Sequence, residues 1–386
     1  MKAPVSPLRV VLLANYRPDR QQSMLRYAAM LARHLPGLGI PVEVVHPPAC
    51  FGRLAAPESR LFKWLAYLDK YLLFPPLLAA SSLGRRLRGA PAVVHICDHS
   101  NAFYAYCLAG LPCVATCHDV GAIRGALGEL DDCPATGLGR LLQRLIVRGL
   151  RRTGWIACVS EATRRDLARL VTGDSSRVRV IPNGLNRDLG RPPEATRGAL
   201  AGAFPELLER PYLLHVGSGL ARKNREGVLR VFAAFRKEWP GRLVFAGEPL
   251  SPEMLRLRDA LGLGPDEVRG IEDASDAQLE ALYAHAFALL FPSRFEGFGW
   301  PVVEAQASGC PVLTTTASAL PEVAGDGACL RDPADEAGFV ADLRSLRDSA
   351  FRAALVERGS RNAERFTAGE MASRFSGLYR EILCAS

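Results

Sequence analysis

What the 386-residue sequence lacks narrows the field first. No stretch of about 18 or more apolar residues is free of charge, so no membrane-spanning helix is expected. The opening MKAPVSPLRVVLLANY has a short apolar run with no small-residue cleavage site behind it, and it is not read as a signal peptide. No CxxC pair occurs among the ten cysteines. Most sit inside apolar segments such as VHICD, LPCVATCHD and WIACVS, which suits buried, reduced thiols in a cytoplasmic protein. Cys113, Cys117 and His118 form a C-x3-C-H group without a second pair, so no metal site is expected. Acid is in short supply: 40 Asp and Glu stand against 48 Lys and Arg, a net charge of +8. That balance favours an anionic partner without choosing one. The basic residues lack the interleaved aromatics of a recognisable nucleic-acid module, so nucleic acid is not the expected partner.

What is present is an ordinary globular composition, with 48% hydrophobic, 23% charged and 8% aromatic residues, enough for two domains with separate cores. Short β-branched runs alternate with helical periodicity. RVVLLANY (9–16), PVEVVHP (41–47), AVVHICD (92–98), CVATCHD (113–119), GWIACVS (154–160) and RVRVIPNG (177–184) read as strands. SMLRYAAMLARHL (23–35) has apolar residues at helical spacing. Strands separated by helices predict a parallel sheet covered on both faces. The pattern breaks over 186–211, rich in proline and alanine, which reads as a linker. A second series follows, with YLLHVGS (212–218), RLVFAGE (242–248), FALLFPS (287–293) and CPVLTTT (310–316) as its clearest strands. The expected fold is therefore α/β, with two tandem, doubly wound, Rossmann-like domains. Their expected bounds are 1–188 and 189–367, with a helix at about 368–386 packing back on the first. Ligands in such sheets bind outside the carboxyl ends of the strands, so the default site is a cleft between facing domains.

Three segments fall at those strand ends. In PSRFEGFGWPVVEAQASG (292–309), Pro301 fits a first helical turn and Gly309 fits the residue after a helix. Gly297 and Gly299 let backbone approach a ligand closely. Glu296 lies in the loop and Glu304 about a turn inside the helix. Taken alone, this is a carboxylate pair, a phosphate cradle, or a plain strand–turn–helix with a surface glutamate. HVGSGLARKN (215–224) sets Arg222 and Lys223 beside flexible glycines, which suits a diphosphate. CHDVG (117–121) puts His118, flanked by Asp119, at a strand end of the first series.

Together these segments resemble the retaining glycosyltransferases of family 4, which have the GT-B fold. The resemblance extends over most of the chain. RFEGFGWPVVEAQASGCPV is similar to the family's E-x7-E signature, ASALPEVAGDGACLRDP (317–333) to its continuation, and VGSGLARKN to its phosphate-binding turn. VSEATRRDL (159–167), IPNGLN (181–186) and SDAQLEALYAHAFALLFPS (275–293) also match family segments.

The resemblance implies roles. Glu296 would contact donor sugar hydroxyls and Glu304 the nucleotide ribose. Gly217, Ser218 and the amides of Gly297, Phe298 and Gly299 would line sugar and diphosphate. Arg222 and Lys223 would hold the diphosphate as it leaves, and His118 would lie near the reacting sugar. Arg269 to Ile271 would border the base. The donor would be a GDP- or UDP-hexose, with mannose slightly favoured, and no bound metal or other cofactor would be needed. No DxD motif stands in a convincing position. Front-side attack with retention is the family's usual proposal, so Glu296 is not expected to be a nucleophile.

The chain departs from its family at NYRPDRQQSMLR (15–26), where many members carry a Gly-Gly turn that meets the donor phosphate. Arg17, Arg20, Gln21 and Ser23 are candidates for that contact or for the acceptor. Asp98 and His99, opening DHSNAFYAY (98–106), and Asp119 are further acceptor-side candidates. The acceptor is expected to be a glycan, lipid-linked, in polysaccharide or lipopolysaccharide synthesis. Residues 59–89 mix aromatics, leucines and arginines, and 139–155 carries Arg140, Arg144 and Arg148 on one helical face followed by Arg151 and Arg152. Both suit docking at the inner face of an anionic membrane, or a solvated basic face. The rivals are a nucleotide-sugar epimerase on the same fold and an idle nucleotide-sugar-binding subunit. A phosphorylase is disfavoured, because no segment matches its cofactor lysine.

Overall fold

A computed structural model describes residues 8–56, 59–87, 92–172, 175–185, 190 and 193–385. The described residues group into two compact units. One holds the residues up to Glu129, Pro134–Asn186 and Ala368–Ser386; the other holds Leu130–Cys133 and Arg187–Thr367. The expected boundary at 188/189 falls outside the described residues. The helix Ala368–Cys384 belongs to the first unit: Tyr379 donates or accepts a 2.7 Å hydrogen bond with His95 inside that unit's sheet.

The first unit is built on six parallel strands: β1 (Arg9–Leu13), β2 (Val42–Val45), β3 (Ala92–Ile96), β4 (Cys113–Cys117), β5 (Trp155–Cys158) and β6 (Val178–Val180). Their order is β2-β1-β3-β4-β5-β6. β3, β4 and β5 are buried at every residue, as expected of strands covered on both faces. The helix Gln22–His34 follows β1 and buries Tyr27, Ala28, Met30 and Leu31, the stripe its periodicity predicts.

The second unit has β7 (Tyr212–Gly217), β8 (Arg242–Gly247), β9 (Val268–Ile271), β10 (Ala288–Phe291), β11 (Val312–Thr315) and β12 (Ala328–Arg331), all parallel, in the order β12-β11-β10-β7-β8-β9. The helix Arg225–Phe235 buries Val228, Leu229, Val231, Phe232 and Phe235 against the sheet.

Residues 186–211 are not a bare linker. The helix Pro193–Ala203 and the turn Pro205–Leu208 pack on the second unit, with Leu200 and Leu207 buried in its core. The inner face of the helix buries Thr196 and Leu200 against the helix Asp276–His285, where Thr196 Oγ1 lies 3.2 Å from His285 Nε2. The thiols of Cys97, Cys113, Cys117, Cys158 and Cys310 are buried, whereas Cys50 and Cys384 are exposed. Among the described residues no helix is long and apolar enough to cross a membrane.

In both sheets the strand order reverses once, between β1 and β3 and between β7 and β10. At such a switch point the connections on either side run to opposite faces, and the loops at the carboxyl ends open a crevice. The loops after β7 and β10 carry Arg222, Lys223 and Glu296. Those after β1 and β3 carry Asn15, Gln21 and Asp98.

Candidate active site

In the second unit, β7 ends at Gly217 and the chain turns through Ala221–Lys223 before the helix Arg225–Phe235 begins. Asn224 makes that turn with a left-handed φ of 54°, and its amide donates to the carbonyls of Pro292 and Pro333 at 3.2 and 3.0 Å. Backbone ties the two loops directly: the N–H of Arg294 donates to the carbonyl of Arg222 at 2.8 Å. Arg222 returns the contact, donating from Nη1 to the carbonyl of Phe295 at 2.8 Å.

On this frame, Lys223 Nζ donates to Glu296 Oε1 at 2.6 Å and Arg222 Nη1 to Oε2 at 3.0 Å. Glu296 is only 6% exposed, so it is not the surface glutamate of the plain reading. Burial by itself would raise its pKa, but Lys223 and Arg222 outweigh that and hold it below the ordinary carboxylate value. Charge-assisted bonds of this kind contribute about 1.5–3 kcal/mol each. Ser318 straps the same residue, donating to the Glu296 carbonyl at 2.6 Å and accepting from its N–H at 3.3 Å.

The loop then meets the helix Trp300–Ala307, with Pro301 in its first turn and Gly299 at its N-cap. Gly299 has φ of 104°, and a Cβ there would lie 2.8 Å from Leu320. Gly309 ends the segment with φ of 71°. Glu304 is 3% exposed and accepts from the Tyr283 hydroxyl at 3.0 Å. Gly217 and Ser218 fall at the end of β7; a Cβ on Gly217 would touch the Lys223 stem at 3.6 Å.

Arg269 and Ile271, the expected border of the base, lie on β9. Arg269 pairs with Glu206 at 2.7 Å, and Ile271 is buried in the apolar core. β9 is the edge strand of its sheet, beside the segment 193–208.

In the first unit, His118 follows β4 and is buried. Its Nε2 lies 2.9 Å from the Cys97 carbonyl, while Nδ1 is buried without a hydrogen-bond partner. Tyr27 packs edge-on against the ring at 4.7 Å. Burial lowers the His118 pKa, partly opposed by Asp98, so the imidazole is neutral near pH 7. Asp98 accepts from Asn15 Nδ2 at 2.6 Å and from the Ser100 N–H at 2.9 Å, and His99 Nδ1 lies 3.3 Å from it. Asp119 is spent on the Gly121 N–H at 2.8 Å. Arg17, Arg20, Gln21 and Ser23 are all exposed. The loop without glycine still turns left-handed, at Arg20 with φ of 51°, and Gln21 accepts from Asn15 Nδ2 at 2.5 Å.

The side chains that sequence reading missed are Asn15, Tyr283 and Ser318. Each acts through a contact far along the chain, and each stands in an unremarkable local pattern. Among the described residues no group of three or more His, Cys, Asp and Glu is placed to hold a metal ion.

Two parallel six-stranded sheets, each with its polar loops at a switch point, define the GT-B fold class. The chain belongs to glycosyltransferase family 4. Residues 24–189 match the model of Glycosyltransferase Family 4, and residues 202–364 that of Glycosyl transferases group 1. The O-antigen chain mannosyltransferase B of Escherichia coli is 28% identical over 233 residues, 59% of this chain and 61% of that protein. The D-inositol 3-phosphate glycosyltransferase of Mycolicibacterium paratuberculosis is 30% identical over 359 residues, 83% of this chain and 77% of that one. The match thus spans less than two thirds of the Escherichia coli relative's own length. Among solved structures, an Anabaena protein in complex with UDP-glucose has a TM-score of 0.68 and 16% identity, covering 98% of this chain and 100% of its own.

Proposed function

We propose that the protein is a retaining hexosyltransferase. It takes a hexose, mannose before other hexoses, from a GDP- or UDP-sugar and adds it to a lipid-linked glycan acceptor at the inner face of the membrane. The observation that carries this reading is the buried ion triad Arg222–Glu296–Lys223 at the β7/β10 switch point. Two cations fixed by backbone contacts meet the charge that develops on a departing diphosphate, where a preorganised dipole or cation stabilises the transition state most. Glu296 exchanges its cation contacts for the sugar hydroxyls, and Glu304, steadied by Tyr283, takes the ribose. The amides of Gly297, Phe298 and Gly299 line sugar and diphosphate. The unpartnered Nδ1 of a neutral His118 is suited to a hydroxyl of the sugar or acceptor. The leaving phosphate accepts the acceptor's proton, so no side-chain nucleophile and no metal are called on. The mannosyltransferase relative and the neighbour solved with UDP-glucose support a nucleotide-sugar donor.

The test is a thermal-shift and turnover screen with GDP-mannose, UDP-glucose and the free nucleotides. A donor that stabilises the full chain, and releases nucleoside diphosphate only with acceptor, supports the reading. Stabilisation by none overturns it, and donor conversion without acceptor points to an epimerase. Product NMR reads the anomeric configuration.

A further inference from the structure

The backbone ladder between β10 and β11 ends where Phe291 faces Thr314. Beyond it the β10 loop begins at Pro292, and its carbonyls need donors from outside a strand pairing. Side-chain hydroxyls of the neighbouring segment supply several of them. Thr314 Oγ1 donates to the Phe291 carbonyl at 2.9 Å, Thr315 Oγ1 to the Ser293 carbonyl at 2.7 Å, and Ser318 Oγ to the Glu296 carbonyl at 2.6 Å. Thr314 and Thr315 are fully buried, whereas Ser318, at the tip of this row, is half-buried.

Ser318 does more than close the row. Its Oγ also accepts from the Glu296 N–H at 3.3 Å, and the N–H of Ala319 donates to the Glu296 carbonyl at 3.3 Å. Both main-chain polar groups of Glu296 are thus held by Ser318 and its neighbour. Ser318 does this with a left-handed φ of 58°, a conformation that strains any residue with a Cβ and that glycine adopts freely. A glycine would relieve the strain but has no hydroxyl, so the two contacts to Glu296 are what offset it. The carboxylate of Glu296 is gripped from the other side, by Lys223 and Arg222 of the β7 loop. On the proposed reading a diphosphate takes those two cations. The contacts from Ser318 and Ala319 then remain to fix where the carboxylate stands.

We propose that Ser318 is a positioning residue for sugar transfer: through the main chain of Glu296 it sets the carboxylate against the hydroxyls of the donor sugar. The inference rests on the reading of Glu296 as the contact to that sugar. It gives Ser318 a part in reading the sugar and none in holding the nucleotide.

Calorimetry on the full chain tests it, with GDP-mannose against GDP and UDP-glucose against UDP. The ratio of the two dissociation constants isolates the sugar's share, because base, ribose and diphosphate are common to both probes. In Ser318→Gly and Ser318→Ala the sugar nucleotide should bind about fivefold more weakly, the loss of one ordinary hydrogen bond, with the free nucleotide at the parent value. Urea unfolding should separate the same two variants, the glycine variant being the more stable because a φ of 58° suits it. Ser318→Thr keeps the hydroxyl and adds the strain of a branched Cβ, so it should lose stability yet keep the parent's ratio. Should that variant fail to fold, the glycine and alanine pair still decides. A serine that served folding only would make the ratio follow stability, and the glycine variant would keep the parent's discrimination. That result overturns the proposal, as does equal weakening of nucleotide and sugar nucleotide. Glu296→Gln is the reference. If it moves the ratio while Ser318→Gly does not, the donor-site reading stands and this role of Ser318 falls. If Glu296→Gln leaves the ratio unchanged, the sugar contact of Glu296 falls, and the role of Ser318 with it.

Discussion

Lys223 Nζ lies 2.6 Å from Glu296 Oε1, across 73 residues of sequence, and the same carboxylate holds Arg222 at 3.0 Å. One buried acid thus occupies both cations of the β7 loop. On the proposed reading, a diphosphate that binds there would compete with Glu296, and the displaced carboxylate would become available to the sugar. Donor binding and the positioning of Glu296 would in this way be one event.

Glu296→Gln separates the two roles. Without the competing charge, free nucleoside diphosphate should bind about tenfold more tightly, roughly 1.4 kcal/mol. Transfer should fall roughly a hundredfold, the worth of a hydrogen bond to a charged group. Calorimetry with the nucleotide and steady-state kinetics with donor read the two effects. Weaker nucleotide binding by the variant would show that the carboxylate helps the phosphate rather than holding its place.

Tyr283→Phe removes the 3.0 Å hydrogen bond to Glu304 and leaves the buried ring in place. If Glu304 holds the ribose equally in ground and transition states, KM for the donor should rise about five- to tenfold with kcat nearly unchanged, for a bond of about 1 kcal/mol. A fall in kcat at constant KM would place Glu304 in the chemical step instead.

Gly299→Ala should destabilise the second unit by about 1–3 kcal/mol, because φ of 104° strains any residue with a Cβ. The added methyl also meets Leu320 at 2.8 Å. Urea unfolding measures the loss, and a double-mutant cycle with Leu320→Ala, whose own core truncation costs about 2–5 kcal/mol, isolates the steric part.

Acid should destabilise the fold through two histidines buried in strands. Burial pushes His95 and His215 down to about 3 from the ordinary 6.5. Below about pH 6.5 the unfolded chain takes up a proton that the native state refuses, so stability falls as pH falls, by about 1.4 kcal/mol per pH unit for each group. This continues until the native imidazoles charge, near pH 3. His95→Gln and His215→Gln should each flatten the slope of unfolding free energy against pH between about pH 6 and about pH 4. An unchanged slope would mean that the native imidazoles are charged in that range.

Most strands legible in the sequence are buried runs, although the partly buried edge strands β2 and β6 are legible too. Runs such as AVVHI and YLLHV are continuous because both faces are covered. β9 and β12 are less legible because they are short and only partly buried, VRGI being exposed at its two middle residues and ACLR half-buried throughout. The helix 193–203 is not legible within the stretch 186–211 because its buried face is only Thr196 and Leu200, which the partner helix Asp276–His285 alone makes meaningful. Of the candidate residues, Glu296, Arg222 and Lys223 were legible from glycine, proline and charge at strand ends. The pairing of Arg269 with Glu206 and the burial of Ile271 in the core are set by tertiary packing.

The sequence by itself determined what depends on neighbours a few residues apart. That includes the alternation of strand and helix, Pro301 in a first turn, the left-handed glycines 299 and 309, and two cations beside a flexible turn. Only the tertiary structure decided that Glu296 and Glu304 are buried, that one acid contacts both cations, and that Tyr283 holds the second acid. Those facts follow from strand order. β10 returns beside β7 after β8 and β9 have been laid on the other side, and no local pattern encodes which strand a returning chain will choose.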